Sequence, residues 1–278
     1  MNRILLKEIL QKSFKEDIGM GDLTTESIFH SNERAKGTFM AKADGVLAGA
    51  ECIQIGYELL GGQLDVVHYK WDGQAVSKGD VIVEVEGPIR TLLTGERVIL
   101  NLVQHLSGIA SATRKAITEL GDSSITVTDT RKTLPGLRAL QKYAVRCGGG
   151  KNHRYRLDDG IMIKDNHIKA AGSINKAVEM VKTKSGHMVK IEVETENKEQ
   201  VLKAVAAKVD VIMLDNRSPE QVKELVKFIP DTITVEVSGG ITLETIGTYK
   251  NCGADVISLG GLTHSVKALD ISFNLNND

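Results

Sequence analysis

From Asp129 to His167 the chain reads DTRKTLPGLRALQKYAVRCGGGKNHRYRLDDGIMIKDNH. Between Arg131 and Arg156 it holds eight basic residues (Arg131, Lys132, Arg138, Lys142, Arg146, Lys151, Arg154, Arg156) and no carboxylate. The whole 278-residue chain carries 35 Lys/Arg against 36 Asp/Glu, so this positive charge is local. A cationic concentration in a neutral protein suits a small, strongly anionic ligand. A planar arginine fork matches a carboxylate bidentately, and a lysine adds a point charge. Gly148, Gly149 and Gly150 in the middle permit a close backbone approach or a sharp turn. Pro135 suits a first helical turn, and on the helix after it Arg138, Lys142 and Arg146 recur every four residues. A solvated helix face is expected for Lys142 and Arg146. Arg131 and Lys132 at a strand end, and His153 and Arg154 after the glycines, are better placed for a ligand. His153 and His167 lack a third soft ligand at metal spacing, so hydrogen-bonding or packing roles are expected for both.

The elements that must position these residues follow from periodicity. From Ser123 onward, strand, loop and helix patterns repeat. Strands are expected at 124–129, 161–164, 188–194, 209–214, 232–237 and 254–259, and helices at 135–147, 173–184, 197–207, 218–228 and 242–250. Such alternation implies a parallel sheet with right-handed crossovers. Six regular units favour an incomplete barrel over a flat doubly wound sheet, and no dinucleotide fingerprint follows the first strand. In a parallel barrel, chemistry collects where strands end. The six ends are Asp129-Thr130-Arg131-Lys132, Lys164-Asp165-Asn166-His167, Glu192-Val193-Glu194, Asp215-Asn216, Ser238-Gly239-Gly240 and Gly260-Gly261. The early ends carry cations and the middle ends carry the carboxylates Glu194 and Asp215. The late ends carry glycines suited to phosphate, with SGGI leading into an expected helix. Two carboxylates also suit a hydrated divalent ion; a salt bridge to a nearby cation is the equal alternative for each.

The first hundred residues differ. An amphipathic helix over 3–17 presents Ile4, Leu5, Ile9, Leu10 and Phe14, and GDLTTESIF then turns, with Asp22, Thr24 and Thr25 as capping candidates. Short strands with Gly/Asp turns surround a helix at ECIQIGYELLG, which reads as a small sheet with helix cover. Residues 95–121 read as a long helix with a break near Gly108 and Arg97 in its first turn, where a solvated surface arginine is the ordinary expectation.

Composition excludes several classes. A net charge of −1 gives no field for nucleic acid or an anionic membrane, and 4% aromatics argue against base stacking. Cys52, Cys147 and Cys252 are scattered and odd in number, which reads as reduced thiols in a cytosolic protein. No stretch reads as a signal peptide or a membrane span.

The motifs TRKTLPGLRALQKYAVRCGGGKNHRYRL, IMIKDNH, EVE, MLDN, EVSGGI and LGGLTHS, with EDIGMGDLTT near the start, resemble the quinolinate phosphoribosyltransferase family along nearly the whole chain. That resemblance implies an α/β protein with an N-terminal open-faced α/β sandwich over 1–107 and a C-terminal incomplete TIM-like α/β barrel over 108–264. It also implies a tail, 265–278, returning to the first domain and ending at Asp278. It implies phosphoribosyl transfer from phosphoribosyl pyrophosphate to quinolinate with decarboxylation, Mg²⁺ as cofactor, and a homodimer (a hexamer is the alternative) that donates Arg97 across its interface. Thr130, Arg131, Lys132, His153, Arg154 and Lys164 would bind the dicarboxylate, with Lys132, Lys164, Glu194 and Asp215 catalytic. Glu194 and Asp215 would hold Mg²⁺, directly or through water. Ser238, Gly239, Gly240, Leu259, Gly260 and Gly261 would form the phosphate loops. A paralogue of the type encoded with molybdate-transport genes, with another aromatic acceptor, is the alternative enzyme. A non-catalytic rival is a nucleic-acid binder using the basic stretch or a carrier module using VSKGDVIVEVEG.

Overall fold

The computed structural model describes residues 1–276. In chain order its elements are α1 (Arg3–Ile18), α2 (Leu23–Ile28), β1 (Arg34–Ala41), β2 (Gly45–Val46), α3 (Glu51–Leu60), β3 (Asp65–His68), β4 (Ala75–Val76), β5 (Val81–Pro88), α4 (Ile89–Leu120), β6 (Thr126–Thr128), α5 (Arg138–Cys147) and β7 (Ile161–Ile163). There follow α6 (Asp165–Ala171), α7 (Ile174–Lys182), β8 (Ile191–Thr195), α8 (Lys198–Ala206), β9 (Val211–Asp215), α9 (Pro219–Val226), β10 (Thr234–Ser238), β11 (Val256–Ser258), α10 (Gly261–His264) and β12 (Ile271–Leu275). The chain divides into two compact units: Met1–Arg114 with Thr133–Gly149 and the segment from Leu262 onward, and Lys115–Lys132 with Gly150–Gly261.

The first unit is built on an antiparallel sheet of order β12-β1-β5-β3, an open-faced α/β sandwich with helices against its apolar side. Phe39, Tyr57, Ile82, Leu92, Ile99 and Leu106 are fully buried there. Each such side chain contributes roughly 1.5–3 kcal/mol when removed from water. On α1 the buried stripe is Leu6, Leu10 and Phe14: Leu10 and Phe14 are where the pattern puts them, whereas Leu6 is buried in place of Ile4 and Leu5, which are exposed. Asp22 caps α2 through Thr25 N–H, whereas Thr24 and Thr25 lie inside that helix. The tail contributes β12, paired antiparallel to β1 from Leu275 opposite Gly37 to Ile271 opposite Ala41. Asp278 lies outside the described residues. Lys70, a poor match in HYKWDG for the modified lysine a carrier module needs, is ion-paired to Asp80 at 2.9 Å.

Two sequence expectations for this unit fail. The helix α4 is continuous for 32 residues and does not break at Gly108. A Cβ there would lie 2.3 Å from the Lys267 carbonyl oxygen, so glycine serves close approach of the tail and not a kink. The helix α5 belongs to this unit, and Lys142 is fully buried rather than solvated; only Arg146 is exposed. A four-residue repeat drifts about 40° per step around a helix, so burial changes along the three cations, from half-buried Arg138 through buried Lys142 to exposed Arg146. Gln141, Ala144 and Val145 are buried beside Lys142, and α5 is therefore covered over a wide arc. Gly148 answers the same demand: a Cβ would meet Ala110 O and Thr113 Cβ of α4 at 2.5 Å.

The second unit holds the six expected strands in one parallel sheet, order β6-β11-β10-β9-β8-β7, an incomplete TIM-like α/β barrel. The outer helices follow the apolar pattern, with Val178 of α7, Val201 of α8 and Val222 of α9 buried. Ser173, Asn197 and Ser218 cap these helices. The helix expected at 242–250 is only a 3₁₀ turn, Ile246–Tyr249. An extra helix, α6, begins immediately after β7, where the sequence suggested only a polar strand end.

Candidate active site

Parallel strands of a barrel deliver their C-terminal ends to one mouth. Here that mouth is a cavity of about 570 Å³ lined by Thr130, Arg131, Lys132, His153, Arg154, Met162, Lys164, Glu194, Met213, Asp215, Asn216, Glu236, Ser238, Gly239, Gly240 and Ser258. Its size suits a small-molecule site, roughly 300–1,000 Å³. All lining residues belong to the second unit. The structure thus brings together eleven residues singled out from the sequence: Thr130, Arg131, Lys132, His153, Arg154, Lys164, Glu194, Asp215, Ser238, Gly239 and Gly240. Leu259, Gly260 and Gly261 follow β11 and do not line the cavity; Leu259 is buried. Arg97 belongs to the first unit, on α4, where its exposed side chain (60%) lies 3.6 Å from Glu96.

The cationic wall is crowded. Arg131 has its Nε buried with no protein partner among the described residues. Burial and the neighbouring Arg131 guanidinium lower the Arg154 pKa below its usual value. Arg154 Nη1 donates to Gly160 O at 2.7 Å. Lys164 pairs with Glu194 in a short contact, so the salt-bridge alternative is realised for that carboxylate. The Lys164 backbone is held by His167, whose Nδ1 accepts the Lys164 N–H at 2.9 Å and caps α6. His167 is therefore a hydrogen-bonding histidine.

Among the described residues Asp215 pairs with no cation; its Oδ2 accepts from Asn216 Nδ2 at 2.7 Å. Asn216 sits in the left-handed region (φ 54°), a conformation asparagine tolerates, and its N–H donates to Ser238 O at 2.8 Å. That knits the ends of β9 and β10 together. Gly239 (φ 92°) is required beside it, because a Cβ would fall 2.3 Å from Asn216 Oδ1. No helix begins directly after Ser238-Gly239-Gly240, where only the 3₁₀ turn Ile246–Tyr249 follows, so the expected helix of this segment adds no dipole to the backbone N–H groups there.

Sequence reasoning missed a layer beneath the mouth. Residues two apart on a strand face the same side. Met162 lies two before Lys164, Glu192 two before Glu194, Met213 two before Asp215, and Glu236 two before Ser238. Four of the atoms buried without a hydrogen-bond partner are Thr128 Oγ1, Glu192 Oε1, Glu236 Oε1 and Ser258 Oγ, all on β6, β8, β10 or β11. Counting back by two from each strand end would have found them.

His153 reaches into that layer. Its Nε2 lies 3.1 Å from Glu192 Oε2 and 3.4 Å from Glu236 Oε2, with both glutamates more than nine-tenths buried. Its Nδ1 accepts the Arg154 N–H at 2.8 Å. Burial works against the imidazolium, while the Glu192 and Glu236 carboxylates favour it and raise the His153 pKa. The Arg154 N–H bonds Nδ1 only while that nitrogen is unprotonated, and so opposes them. Burial likewise raises Glu192 above the usual carboxylate range, against His153. These three residues are spaced like a metal-ligand group, all within 4.8 Å. With Nδ1 accepting, however, the ring hydrogen sits on Nε2, which then has no lone pair for a metal.

The chain is similar to known proteins along its length. The family model for the N-terminal domain of quinolinate phosphoribosyl transferase matches residues 22–107, and that for its C-terminal domain matches residues 109–274. A probable nicotinate-nucleotide pyrophosphorylase (carboxylating) of Bacillus subtilis (strain 168) is 52% identical over 275 residues, covering 99% of this chain and 95% of its own. A quinolinate phosphoribosyltransferase (decarboxylating) of Nicotiana glauca is 37% identical, covering 98% and 83%. The crystal structure of NadC from Streptococcus pyogenes is similar with a TM-score of 0.96 at 41% identity, covering 100% and 99%.

Proposed function

The chain belongs to the quinolinate phosphoribosyltransferase family, and from that premise we propose that it transfers phosphoribosyl from phosphoribosyl pyrophosphate to quinolinate with decarboxylation. The products are nicotinate mononucleotide, pyrophosphate and CO₂, a step of NAD biosynthesis. One observation carries the reading: Arg131, Lys132, Arg154 and Lys164 share a single cavity with the carboxylates Glu194 and Asp215 and the turn Ser238-Gly239-Gly240.

Quinolinate is a dianion and phosphoribosyl pyrophosphate is more negative still, so bringing them together requires local cations. Arg131, with its unpartnered Nε, and Arg154, destabilised by its neighbour, both gain when a carboxylate arrives. Thr130 supplies a hydroxyl on the same wall, and Lys132 and Lys164 add point charges beside the reacting centre. The backbone N–H groups of Gly239 and Gly240, with Ser238, receive the phosphate of the ribose; Leu259, Gly260 and Gly261 extend that side of the site. The ring nitrogen attacks C1′ as the C1′–pyrophosphate bond breaks, and positive charge develops on the ribose. Glu194 and Asp215 stabilise that charge electrostatically. The quaternised ring then accepts the electron pair of the C2–carboxylate bond, CO₂ leaves, and a proton closes the resulting ylide.

Glu194 gives one oxygen to Lys164 and Asp215 gives one to Asn216, so each keeps a second oxygen as a hard donor. Such a pair suits Mg²⁺, held directly or through water. When bound, Mg²⁺ neutralises charge on the leaving pyrophosphate. A homodimer, or a hexamer built from it, would add Arg97 of a partner subunit to the cationic wall.

Incubation with quinolinate, phosphoribosyl pyrophosphate and Mg²⁺ tests the proposal, with nicotinate mononucleotide and CO₂ as readouts. Absence of both, or turnover only with another aromatic acceptor, overturns it. Mixing Arg97→Ala with Lys164→Ala subunits tests the shared site: two inactive variants that restore activity together support donation across the interface, and no restoration refutes it.

A further inference from the structure

His153 lines the cavity among the substrate-facing cations, yet both its ring nitrogens are taken by the protein. The two edges of the barrel sheet, β6 and β7, are not paired with each other. The chain from Lys151 to Gly160 runs between them. Lys151 N–H donates to Val127 O of β6 at 2.9 Å, and Arg154 Nη1 donates to Gly160 O just before β7. The middle of this segment is anchored twice more. Asp129, fully buried at the end of β6, accepts the His153 N–H at 2.9 Å and Asn152 Nδ2 at 2.6 Å. The His153 ring then crosses the interior to Glu192 on β8 and Glu236 on β10. Its far nitrogen holds the backbone N–H of Arg154.

The geometry assigns Glu192 and Glu236 as positioning residues: they hold His153 as a strut across the open side of the barrel, and His153 acts on the dicarboxylate only by fixing Arg154. Two observations carry this. The ring hydrogen on Nε2 is shared between two buried carboxylates, each offering an oxygen at hydrogen-bond or near hydrogen-bond distance. The other nitrogen accepts the N–H of the residue whose guanidinium faces the cavity. Neither ring nitrogen keeps a free lone pair or hydrogen for a substrate carboxylate. The strut also explains why two acidic residues lie directly below an anion site, where they would otherwise repel the ligand: their charge is directed at the imidazole.

The proposal rests on quinolinate being the ligand, and its test separates the two claims. Quinolinate binding to the intact protein is measured by calorimetry, and turnover by the KM of each substrate. Glu192→Ala is expected to weaken quinolinate binding and raise its KM by about tenfold or more, the loss of one well-oriented charged contact. The KM for phosphoribosyl pyrophosphate should move less than about threefold, because Arg154 stands on the dicarboxylate wall. Glu192→Gln, whose amide oxygen still accepts the Nε2 hydrogen, is expected to restore wild-type quinolinate binding. A loss of folded protein alone would lower the active fraction and leave both KM values unchanged. Nitrogen NMR of the His153 ring in the wild-type protein adds a readout free of mutation: saturating quinolinate should leave both ring-nitrogen signals in place. A large shift of the Nε2 signal, or unchanged quinolinate affinity in folded Glu192→Ala, overturns the strut. If the wild-type protein neither binds nor converts quinolinate, the functional reading itself fails.

Discussion

The two units bury different things. The first surrounds Phe39, Tyr57, Ile82 and Leu92 with other apolar side chains and, Lys142 of α5 apart, keeps its charges in contact with solvent, as the ion pairs of Lys36 with Glu84 and Lys70 with Asp80 illustrate. The second buries Thr128, Asp129, Glu192, Glu236 and Ser258 directly below its cavity. Removing charge from water is costly unless it is paired. The barrel accepts that cost where ligand-facing cations must be aimed; among the described residues of the first unit the buried charge is Lys142 alone, and no carboxylate is buried there. The contrast is one between an interior that stabilises and an interior that orients.

The contrast can be broken most severely in the first unit. Phe39→Ala should destabilise the protein by about 3–5 kcal/mol, the range for an aromatic deleted from a core, while molecules that remain folded keep their kcat/KM; denaturant unfolding and assay of the folded fraction check both. In the barrel the expectation reverses. Lys164→Ala should cost about 10²–10³-fold in kcat/KM, the scale for losing one preorganised charge contact, with little change in melting temperature by calorimetry. Replacing His153, Glu192 and Glu236 together by leucine sharpens the point. Exchanging a buried ionic group for packed apolar residues is often neutral or stabilising by about 1–4 kcal/mol, so this variant should melt no lower than wild type yet lose quinolinate binding. Melting at a much lower temperature would mean that the polar layer also stabilises the fold.

The smallest effect belongs to a helix cap. Asp22→Ala should cost about 1 kcal/mol, seen as a modest fall in melting temperature at neutral pH. The Thr25 hydroxyl and N–H, with Thr94, hold the Asp22 pKa below its usual value. A lowered folded-state pKa stabilises above the unfolded value and is lost as pH falls through the folded one. The gap between wild type and variant should therefore close under acid, and a gap independent of pH would show that the cap does not act through its charge.

Much of this was legible without coordinates. The alternation of apolar runs placed six strands, and reading each strand end in turn named nine of the eleven cavity residues, because a parallel barrel converts strand order into a ring of side chains; His153 and Arg154 came from the basic stretch after the glycines. Local signals failed where neighbours decide. Gly108 resembled a helix break but makes room for the Lys267 carbonyl, a contact between residues 159 apart in the chain. Residues 242–250 carried a helical pattern, yet only a 3₁₀ turn forms there. Glu192 and Glu236 were visible as residues two before a strand end, but nothing local says that their side chains meet one histidine.

By itself, then, the sequence determined the family, the alternation that makes a barrel, and the residue types at its mouth, since period and motif are properties of the chain alone. The tertiary structure decided the rest. Lys142 became an interior residue because α5 is covered on several sides, and His153 became a strut because two carboxylates from nonadjacent strands converge on its ring. Burial and hydrogen-bond partnership are set by which elements pack together, and one strand's pattern carries no record of its neighbour's side chains.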